Sequence, residues 1–314
     1  TIGSLSGGST GGVSGGATIA GNGTATVTLT GSVAEINASL GGQNVVYKSA
    51  DGFTSPTTPF TASTVTFTTN DAGNTGQDPG TTSNGTSEAD VATIQVAVLP
   101  QVWFIDNTPP TSPSGPMGSQ TNPFTSIEAF NDASALAGGP GANDYIYVQS
   151  GTYTGSGINL KDGQILLGAD QALSFTNPFT NAVIAVEEGG GARPIIAVNV
   201  ASDQAIDLAS GNTIRGIHIV TVAGTSGLDD GTGITGGNVG NLTVSGMSIT
   251  GAGQGVDIDQ DSGVLNVVLE TVSSSGGTHG IQLVGTSFTG TFSASEGMLS
   301  NHSVAELDLN GGAG

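Results

Sequence analysis

Short runs in which apolar and polar residues alternate recur along the chain, separated by Gly, Asn and Asp. Alternation over four to eight residues is typical of a β-strand with one buried face, and residues 25–30, 63–68 and 91–98 are clear examples. Apolar residues at helical spacing stand out once, after Pro123, a residue type that favours the first position of a helix. The pattern predicts an all-β protein with one short helix over residues 123–137.

A four-residue pattern, in which an apolar residue precedes a polar one, recurs in the second half of the chain. Its apolar residues lie 28, 22, 25 and 26 positions apart, at Ile206, Ile234, Val256, Ile281 and Leu307. A second family of alternating runs begins at Ile214 and recurs 28 residues later at Leu242. Irregular spacing near 25 residues suits a parallel β-helix, in which each coil is one repeat. We expect the first five residues to stack as one internal ladder, although a β-sandwich with regular hairpins also produces loose repeats.

The composition changes near residue 100. Before this point, long Gly/Ser/Thr segments separate the strands, as in a β-sandwich, and after it a Pro-rich stretch and the helix lead into the repeats. The predicted parts are a β-sandwich over residues 1–99, a cap segment over 100–143 and a parallel β-helix over 144–314. Because terminal repeats need caps, we expect the helix to cover the first coil with Phe124, Ile127 and Phe130.

Four stretches before residue 100 match one kind of bacterial domain. They are residues 29–38, residues 47–53, the run V-T-F-T-T-N-D-A-G-N-T-G at 65–76, and the closing strand at 90–96. Through them, residues 24–98 resemble the cadherin-like or immunoglobulin-like repeats of giant secreted adhesins. The opening strand of such a repeat is missing, so we expect the chain to be a processed or excised piece of a longer protein.

Further motifs follow the boundary. They are W-F-I-D-N at 103–107, the stretch at 118–127, a first coil over 144–153, and L-K-D-G-Q-I-L-L-G at 160–168. The remainder of the chain resembles the start of a right-handed β-helix module of bacterial surface proteins. This resemblance implies architecture better than activity, because β-helices serve lyases, hydrolases, adhesins and stalks alike.

The charge balance excludes several partners. The chain has 4 Lys and Arg against 25 Asp and Glu, a net charge of −21. A nucleic-acid groove needs clustered Lys and Arg, so we expect no nucleic-acid partner. No run approaches the roughly 20 apolar residues of a membrane helix, so we expect no membrane insertion. Because Cys is absent, disulfides, thiolate nucleophiles and Cys-based zinc sites are excluded.

A long acidic loop in the first part of the chain is a candidate calcium site. Calcium prefers several carboxylate or carbonyl oxygens, and the loop and its border carry Asp71, Asn74, Asp78, Glu88 and Asp90. The resembled repeats often bind calcium near such loops, which favours Asp71 and Asn74. The alternative is a turn in which Asp and Asn bond to their own backbone.

A second acidic set lies on the repeats, with members at Asp207, Asp257, Asp259 and Asp308. Alternation turns these side chains outward, and Asp257 and Asp259 are then roughly 7 Å apart on one strand. Pectate-lyase-like β-helices carry calcium and catalytic groups on such a face, together with an Arg or Lys base. The only Arg residues are Arg193 and Arg215, and Arg215 belongs to the second family of runs and hence to another face. The alternative is a solvated solenoid face.

These features favour a non-catalytic function. The three histidines fall on different predicted elements, and the chain contains no H-x-x-H motif. We expect a segment of a large bacterial extracellular or cell-surface protein that serves as adhesin, stalk or surface-assembly component. Its partners would be other copies or other surface proteins through lateral assembly, and cell-surface glycans. The alternative is a polysaccharide lyase or hydrolase that uses the outward acidic face.

Overall fold

A computed structural model describes most of the chain. The described residues are 4–7, 17–21, 25–40, 45–48, 63–70, 89–231, 239–260, 262–285 and 289–310. They form a mainly β protein that divides into two compact units. One unit comprises residues 1–99 with 176–182, and the other comprises 100–175 with 183–314. Neither of the two helices in the described ranges is long and apolar enough to cross a membrane.

The first unit consists of small antiparallel pairs. Its elements are β1 Ser4–Gly7, β2 Thr18–Ala20, β3 Thr28–Thr30, α1 Val33–Leu40, β4 Val45–Lys48, β5 Ser63–Asn70 and β6 Ala89–Val96. Strand β1 pairs with β4, β2 with β3, and β5 with β6. The pairing of β5 with β6 is continuous from Ser63↔Val96 to Asn70↔Ala89, which agrees with strands predicted from alternation.

Helix α1 was not predicted, and the prediction of a single helix is therefore wrong. Ser32 and Glu35 form a capping box at its N-terminus. The Glu35 carboxylate accepts hydrogen bonds from Ser32 N at 2.7 Å and Ser32 Oγ at 2.8 Å, and Ser32 Oγ accepts from Glu35 N at 3.4 Å. The backbone bond, followed by the hydroxyl bond, holds the pKa of Glu35 below its ordinary value. The S-x-x-E signature was present in the sequence, within the stretch 29–38 that carries the resemblance to the adhesin repeats.

The second unit contains two long parallel sheets. Its elements are β7 Val102–Ile105, α2 Ile127–Ser134, β8 Tyr145–Val148, β9 Thr152–Gly155, β10 Ile158–Asn159, β11 Ile165–Gly168, β12 Leu173–Thr176, β13 Val183–Glu187, β14 Ile195–Val198, β15 Gln204–Asp207, β16 Thr213–Arg215, β17 His218–Thr221, β18 Ser226–Asp229, β19 Leu242–Gly251, β20 Gln254–Asp259, β21 Val264–Ser275, β22 His279–Val284, β23 Thr289–Ser300 and β24 Ala305–Asn310. Strands β12 and β13 pair with each other as an insertion.

The strands form three faces that the chain visits in turn. The first face is β7, β8, β11 and β16, continued by the first parts of β19, β21 and β23. The second face is β9, β14 and β17, continued by the last parts of those three long strands. The third face is β10, β15, β18, β20, β22 and β24. All pairs between successive strands of these faces are parallel, which is consistent with a parallel β-helix and not with hairpins.

The predicted internal ladder exists with one different member. Ile206 pairs with Leu228, Leu228 with Val256, Val256 with Ile281, and Ile281 with Leu307. Leu228 thus occupies the place predicted for Ile234, which lies outside the described residues. Both motifs fit the repeat, and Ser226-Gly227-Leu228-Asp229 resembles the later coils more closely.

In the second family, Ile214 pairs with Val244, two residues after Leu242, because Leu242 lies before the part of β19 that faces β16. Leu307 stands at the predicted ladder position, but its side chain is 53% exposed, because no described strand covers the last coil.

Helix α2 covers the N-terminal end of the coils, as predicted. Phe124, Ile127 and Phe130 are all buried in the main apolar core. The helix is shorter than residues 123–137, because Phe124 pairs its backbone with β7 and Ser126 is the N-cap residue, accepting from Ala129 N at 3.1 Å. Lys161 Nζ ends the helix by donating to the carbonyl oxygens of Ser134 and Pro140.

Candidate functional site: the acidic face

A row of carboxylates runs along the outside of the third face. The register aligns Asp207 with Asp229, Asp229 with Asp257, Asp257 with Gln282, and Gln282 with Asp308. Each follows a ladder residue that points into the core, so its own side chain points outward. Successive coils are about 4.8 Å apart. We call this row, with Asp230 and Asp259 beside it, the acidic face.

The acidic face includes two carboxylates that sequence reasoning missed. Asp229 is the last residue of β18 and Asp230 follows it. The two replace the residues that the Ile234 repeat was predicted to place on this face. The carboxylate of Asp230 accepts a hydrogen bond from Asp259 N at 3.1 Å, so the two residues meet across neighbouring coils. The signal was the G-L-D-D run itself, which resembles G-V-D-I one coil later.

Asp229 is the most buried member, with 4% of its surface exposed. Ser226 Oγ donates to one carboxylate oxygen of Asp229, and Gly231 N donates to the other at 2.9 Å. Such bonds compensate in part for burial of a charged group. Asp229 is therefore a buried carboxylate whose hydrogen-bond partners belong to its own coil.

The environment of the acidic face raises several pKa values. Burial, reinforced by the Asp259 charge, raises the pKa of Asp230 to about 7. Burial, reinforced by Asp229 and Asp259, raises the pKa of Asp257 to about 6. Burial is also the largest cause of the raised pKa values of Asp207 and Asp229. The face therefore contains carboxyl groups that are partly protonated near neutral pH.

The cations of the second unit are engaged elsewhere. Arg193 Nη1 and Nη2 contact the Glu270 carboxylate at 2.7 and 3.1 Å, and Arg193 Nε contacts Asp170 at 3.2 Å. Arg215 lies on β16, in the first face, as the sequence predicted. Lys161 ends helix α2. The described residues therefore do not place an Arg or Lys base beside the acidic face, where a lyase of the resembled kind would need one.

The conformation of Gly216 makes the Arg193 contact possible. Its φ is +71°, and a Cβ at this position would lie 1.9 Å from Asp170 Oδ1. A glycine here lets Asp170 lie against the corner between β16 and β17. Arg193 then links Asp170, on the second coil, to Glu270, on the fifth.

The structure does not describe the side chains of the predicted calcium ligands. Asp71, Asn74, Asp78 and Glu88 lie outside the described residues, and for Asp90 only the backbone, in β6, is described. Within the described part of the chain, no group of three or more His, Asp or Glu side chains is arranged to hold a metal ion. The acidic face is thus a row of carboxylates and not a closed metal site.

The structure also assembles a group that the sequence did not predict. His302 Nε2 lies 2.8 Å from Ser274 Oγ, and His302 Nδ1 contacts Glu306. Ser274 is 1% exposed, and its hydroxyl donates to the carbonyl oxygen of Gly253 at 2.5 Å. A nucleophile must reach its substrate, and Ser274 is buried, so this Ser–His–Glu group joins neighbouring coils and does not form an open catalytic site. In the sequence, this group was indicated only by the His-x-x-x-Glu spacing of His302 and Glu306.

The other two histidines stand apart from this group. His218 Nε2 lies 3.1 Å from Thr250 Oγ1, and burial, with the charge of Arg193, lowers the pKa of His218. His279 Nε2 lies 3.7 Å from the Asp308 carboxylate, at the end of the acidic face.

Comparison of the chain with protein-family models, with curated proteins and with solved structures found no match.

Proposed function

We propose that this chain is a non-catalytic segment of a large bacterial extracellular or cell-surface protein. It would act there as an adhesin, a stalk or a component of a surface layer or filament. The observation that carries the proposal is the continuous parallel register of three faces around one apolar core. Such a stack holds its form without disulfides, because each coil is bonded to its neighbours along its length.

The finer architecture that we propose is a right-handed β-helix preceded by a cadherin-like or immunoglobulin-like β-sandwich. Connections between adjacent parallel strands of one sheet are right-handed in about 98% of cases, and every coil of the second unit makes such connections. The antiparallel β5–β6 pair supports the sandwich. Calcium at the Asp71/Asn74 loop, and surface proteins or glycans as partners, belong to the same proposal.

The placement of the cations supports a structural role. Arg193 and Lys161 bond to other parts of the second unit, and Arg215 lies on the first face. Proton abstraction from an acidic sugar needs a base and a group that neutralises the sugar carboxylate. The described residues place no Arg or Lys at the acidic face for either role.

One observation favours an enzyme as the second candidate. A carboxyl group with a pKa near the working pH is suited to general acid–base catalysis, and Asp230 and Asp257 have pKa values of about 7 and about 6. On this alternative, the acidic face cleaves a polysaccharide. Asp257→Asn would then remove activity, whereas Asp132→Asn, on the exposed side of α2, would not.

Two measurements test the proposed function. The chain is incubated with acidic and neutral polysaccharides, with and without calcium, and unsaturated products and new reducing ends are measured. Intact source cells are labelled with an antibody against the chain. We expect no cleavage, and label on the outer surface. Cleavage that Asp257→Asn abolishes would establish the alternative, and label found only inside the cells would contradict the surface location.

A further inference from the structure

A groove lies where the coils begin, between strand β7, the loop 116–119 and the C-terminal end of helix α2. Its volume is about 420 Å³, within the range of roughly 300–1,000 Å³ that is usual for ligand sites. We call it the cap groove. Its principal apolar lining residues are Val102, Trp103, Met117, Phe124, Leu136 and Ala137.

Two aromatic rings belong to the buried part of this lining. The rings of Trp103 and Phe124 stack with their centroids 5.9 Å apart. Gly118, with a φ of +84°, lies against both rings, and a Cβ at this position would clash with Trp103. Trp103 Nε1 donates to the Asp144 carboxylate at 2.8 Å. The one polar atom of the indole is thus already bonded, and the rest of the ring is apolar surface.

The exposed part of the lining is also apolar. Met117 is 64% exposed and Leu136 is 69% exposed, and none of the residues that line the cap groove carries a charge. Exposed apolar side chains that flank a cleft mark sites of interaction. Since burial of an unpaired charge is costly, the group that enters the cap groove is apolar.

The strand edge at the cap groove has one unbonded position. The carbonyl oxygen of Gln101 accepts from Tyr145 N on β8, so the next residue, Val102, turns its N–H and carbonyl groups to the outer edge of β7. Phe104 faces the same edge, and its N–H donates to the carbonyl oxygen of Gly118 at 2.9 Å. No hydrogen bond between described residues engages the N–H or the carbonyl group of Val102. The cap groove therefore combines an apolar cavity with one backbone donor and one backbone acceptor.

This combination fits an extended peptide better than a small apolar molecule. A peptide that adds to a strand edge supplies matching backbone groups, and its side chain enters the adjoining pocket. An apolar molecule would cover the two groups of Val102 without bonding to them, which is costly. Because the chain has a net charge of −21, its field attracts a basic peptide and repels an acidic one, including a second copy of the chain.

We propose that the cap groove binds an extended basic peptide segment of another protein. The backbone of the peptide pairs with Val102, and one of its large apolar side chains enters the cavity beside Trp103. The inference rests on the proposed function in that it names the class of partner that a surface adhesin or assembly component holds at this site.

The test is a titration of the unmodified chain with the peptide acetyl-K-T-T-F-T-T-K-amide and with its F-to-L analogue. Trp103 is the only Trp of the chain, and the peptides contain none, so Trp fluorescence reports binding at the cap groove. We expect a saturable change with a half-saturation below roughly 1 mM. Replacement of the central residue by D should abolish it, and replacement of both K residues by E should weaken binding several-fold.

Methylation of the peptide nitrogens separates backbone pairing from insertion of a side chain. Each amide is methylated in turn, and binding should weaken by about 5-fold at one position only, because a single N–H donates to Val102. In the chain, the amide of Val102 should exchange more slowly with saturating peptide, whereas the amides of β20 should not change.

The variant Met117→Asp/Leu136→Asp should weaken peptide binding by about 10-fold, because it places two charges against the apolar group that enters. Both residues are exposed, so we expect the fold to persist. The matched control is Val183→Asp/Val268→Asp, which adds the same charges at two exposed sites outside the cap groove and should bind the peptide normally.

Four results would overturn the proposal. They are the absence of saturable binding for both peptides, equal binding of all methylated peptides, a loss in the control variant and not in the groove variant, and self-association that the groove variant abolishes. The last result would make a second copy the occupant. Absence of peptide binding would leave the non-catalytic function intact, and polysaccharide cleavage would leave the peptide site intact, so the two failures are distinguishable.

Discussion

At the scale of single residues, the unusual feature is that half-buried and buried carboxyl groups of the acidic face lie beside one another. For Asp230 and Asp257, the folded-state pKa lies above the unfolded value, because burial and neighbouring carboxylates favour the neutral form. The folded protein then binds more protons than the unfolded chain between about pH 4 and pH 7. The stability contributed by these groups is present at low pH and is lost as pH rises through about 6 to 7.

We predict that Asp230→Asn and Asp257→Asn each stabilise the second unit at pH 8 and have little effect at pH 4. The amide is neutral at both values and can still accept a hydrogen bond. We expect a gain of about 1–2 kcal/mol in the free energy of unfolding at pH 8, measured by urea unfolding at several pH values. Asp132→Asn removes one charge from an exposed site and is the control. Parallel pH profiles for all variants would contradict the assigned cause.

A second prediction concerns the Arg193 fork. Arg193→Gln removes a bidentate contact with Glu270 and leaves Asp170 without its cation. Because Glu270 is half exposed and solvent screens the pair, we expect a loss of up to about 1 kcal/mol in stability. Arg193→Lys keeps the charge but not the fork, and should restore less than half of the loss. The control is Arg215→Gln, because Arg215 is exposed on β16. Equal stability of the two glutamine variants, measured by thermal unfolding, would show that the fork contributes nothing.

At the scale of elements, helix α2 acts as the cap of the third face through Asn131. Asn131→Ala leaves the carbonyl oxygen of Gly157 and the amide of Asn159 without partners. A loss of about 1–3 kcal/mol is expected for two unsatisfied backbone groups. Asp132→Ala makes a similar change one residue away on the exposed side of the helix and should cost less than about 0.5 kcal/mol. Amide exchange at residues 158–159 should accelerate in the first variant alone.

A further prediction concerns Leu228, the ladder residue that stands in the place predicted for Ile234. Leu228 is fully buried, so Leu228→Ala should cost about 2–5 kcal/mol by creating a cavity. Leu307→Ala removes the same atoms from an exposed position of the ladder and should cost far less. Denaturant unfolding measures both. A small effect at Leu228 would mean that the predicted Ile234 repeat, and not β18, stacks in this coil.

At the scale of the whole molecule, the net charge of −21 opposes compact structure through self-repulsion. An ion that binds several carboxylates in the native state alone reduces this repulsion and stabilises the fold by mass action. We predict that calcium raises the melting temperature relative to chelator, mainly through the Asp71/Asn74 loop of the first unit. The acidic face should contribute less, because it lacks the closed arrangement of a metal site.

Melting curves with calcium and with chelator, repeated on Asp71→Ala, test this prediction. Asp257→Asn is the control for a contribution from the acidic face. The calcium effect should vanish in the first variant and persist in the second. Equal melting temperatures of the unmodified chain in both conditions would remove calcium from the proposal.

The sequence determined the class of structure, because strand formation depends on local pattern. Alternation predicted β5 and β6, repeats near 25 residues predicted parallel coils, and apolar spacing after Pro123 predicted a buried covering helix. These are properties of a segment and of its regular recurrence. These properties can therefore be recognised in a segment without information about the segments that pack against it.

Tertiary structure decided which equivalent-looking segments stack. Leu228 and Ile234 both fit the repeat, and only the path of the intervening chain places Leu228 between Ile206 and Val256. Asp229 becomes buried and Asp230 half-buried because adjacent coils surround them, and Arg193 bonds to Glu270, 77 positions away in the chain. A linear pattern sets which way a side chain points within its own strand. Its burial, partners and pKa depend on the coils above and below, and these are set only when the coils come into register.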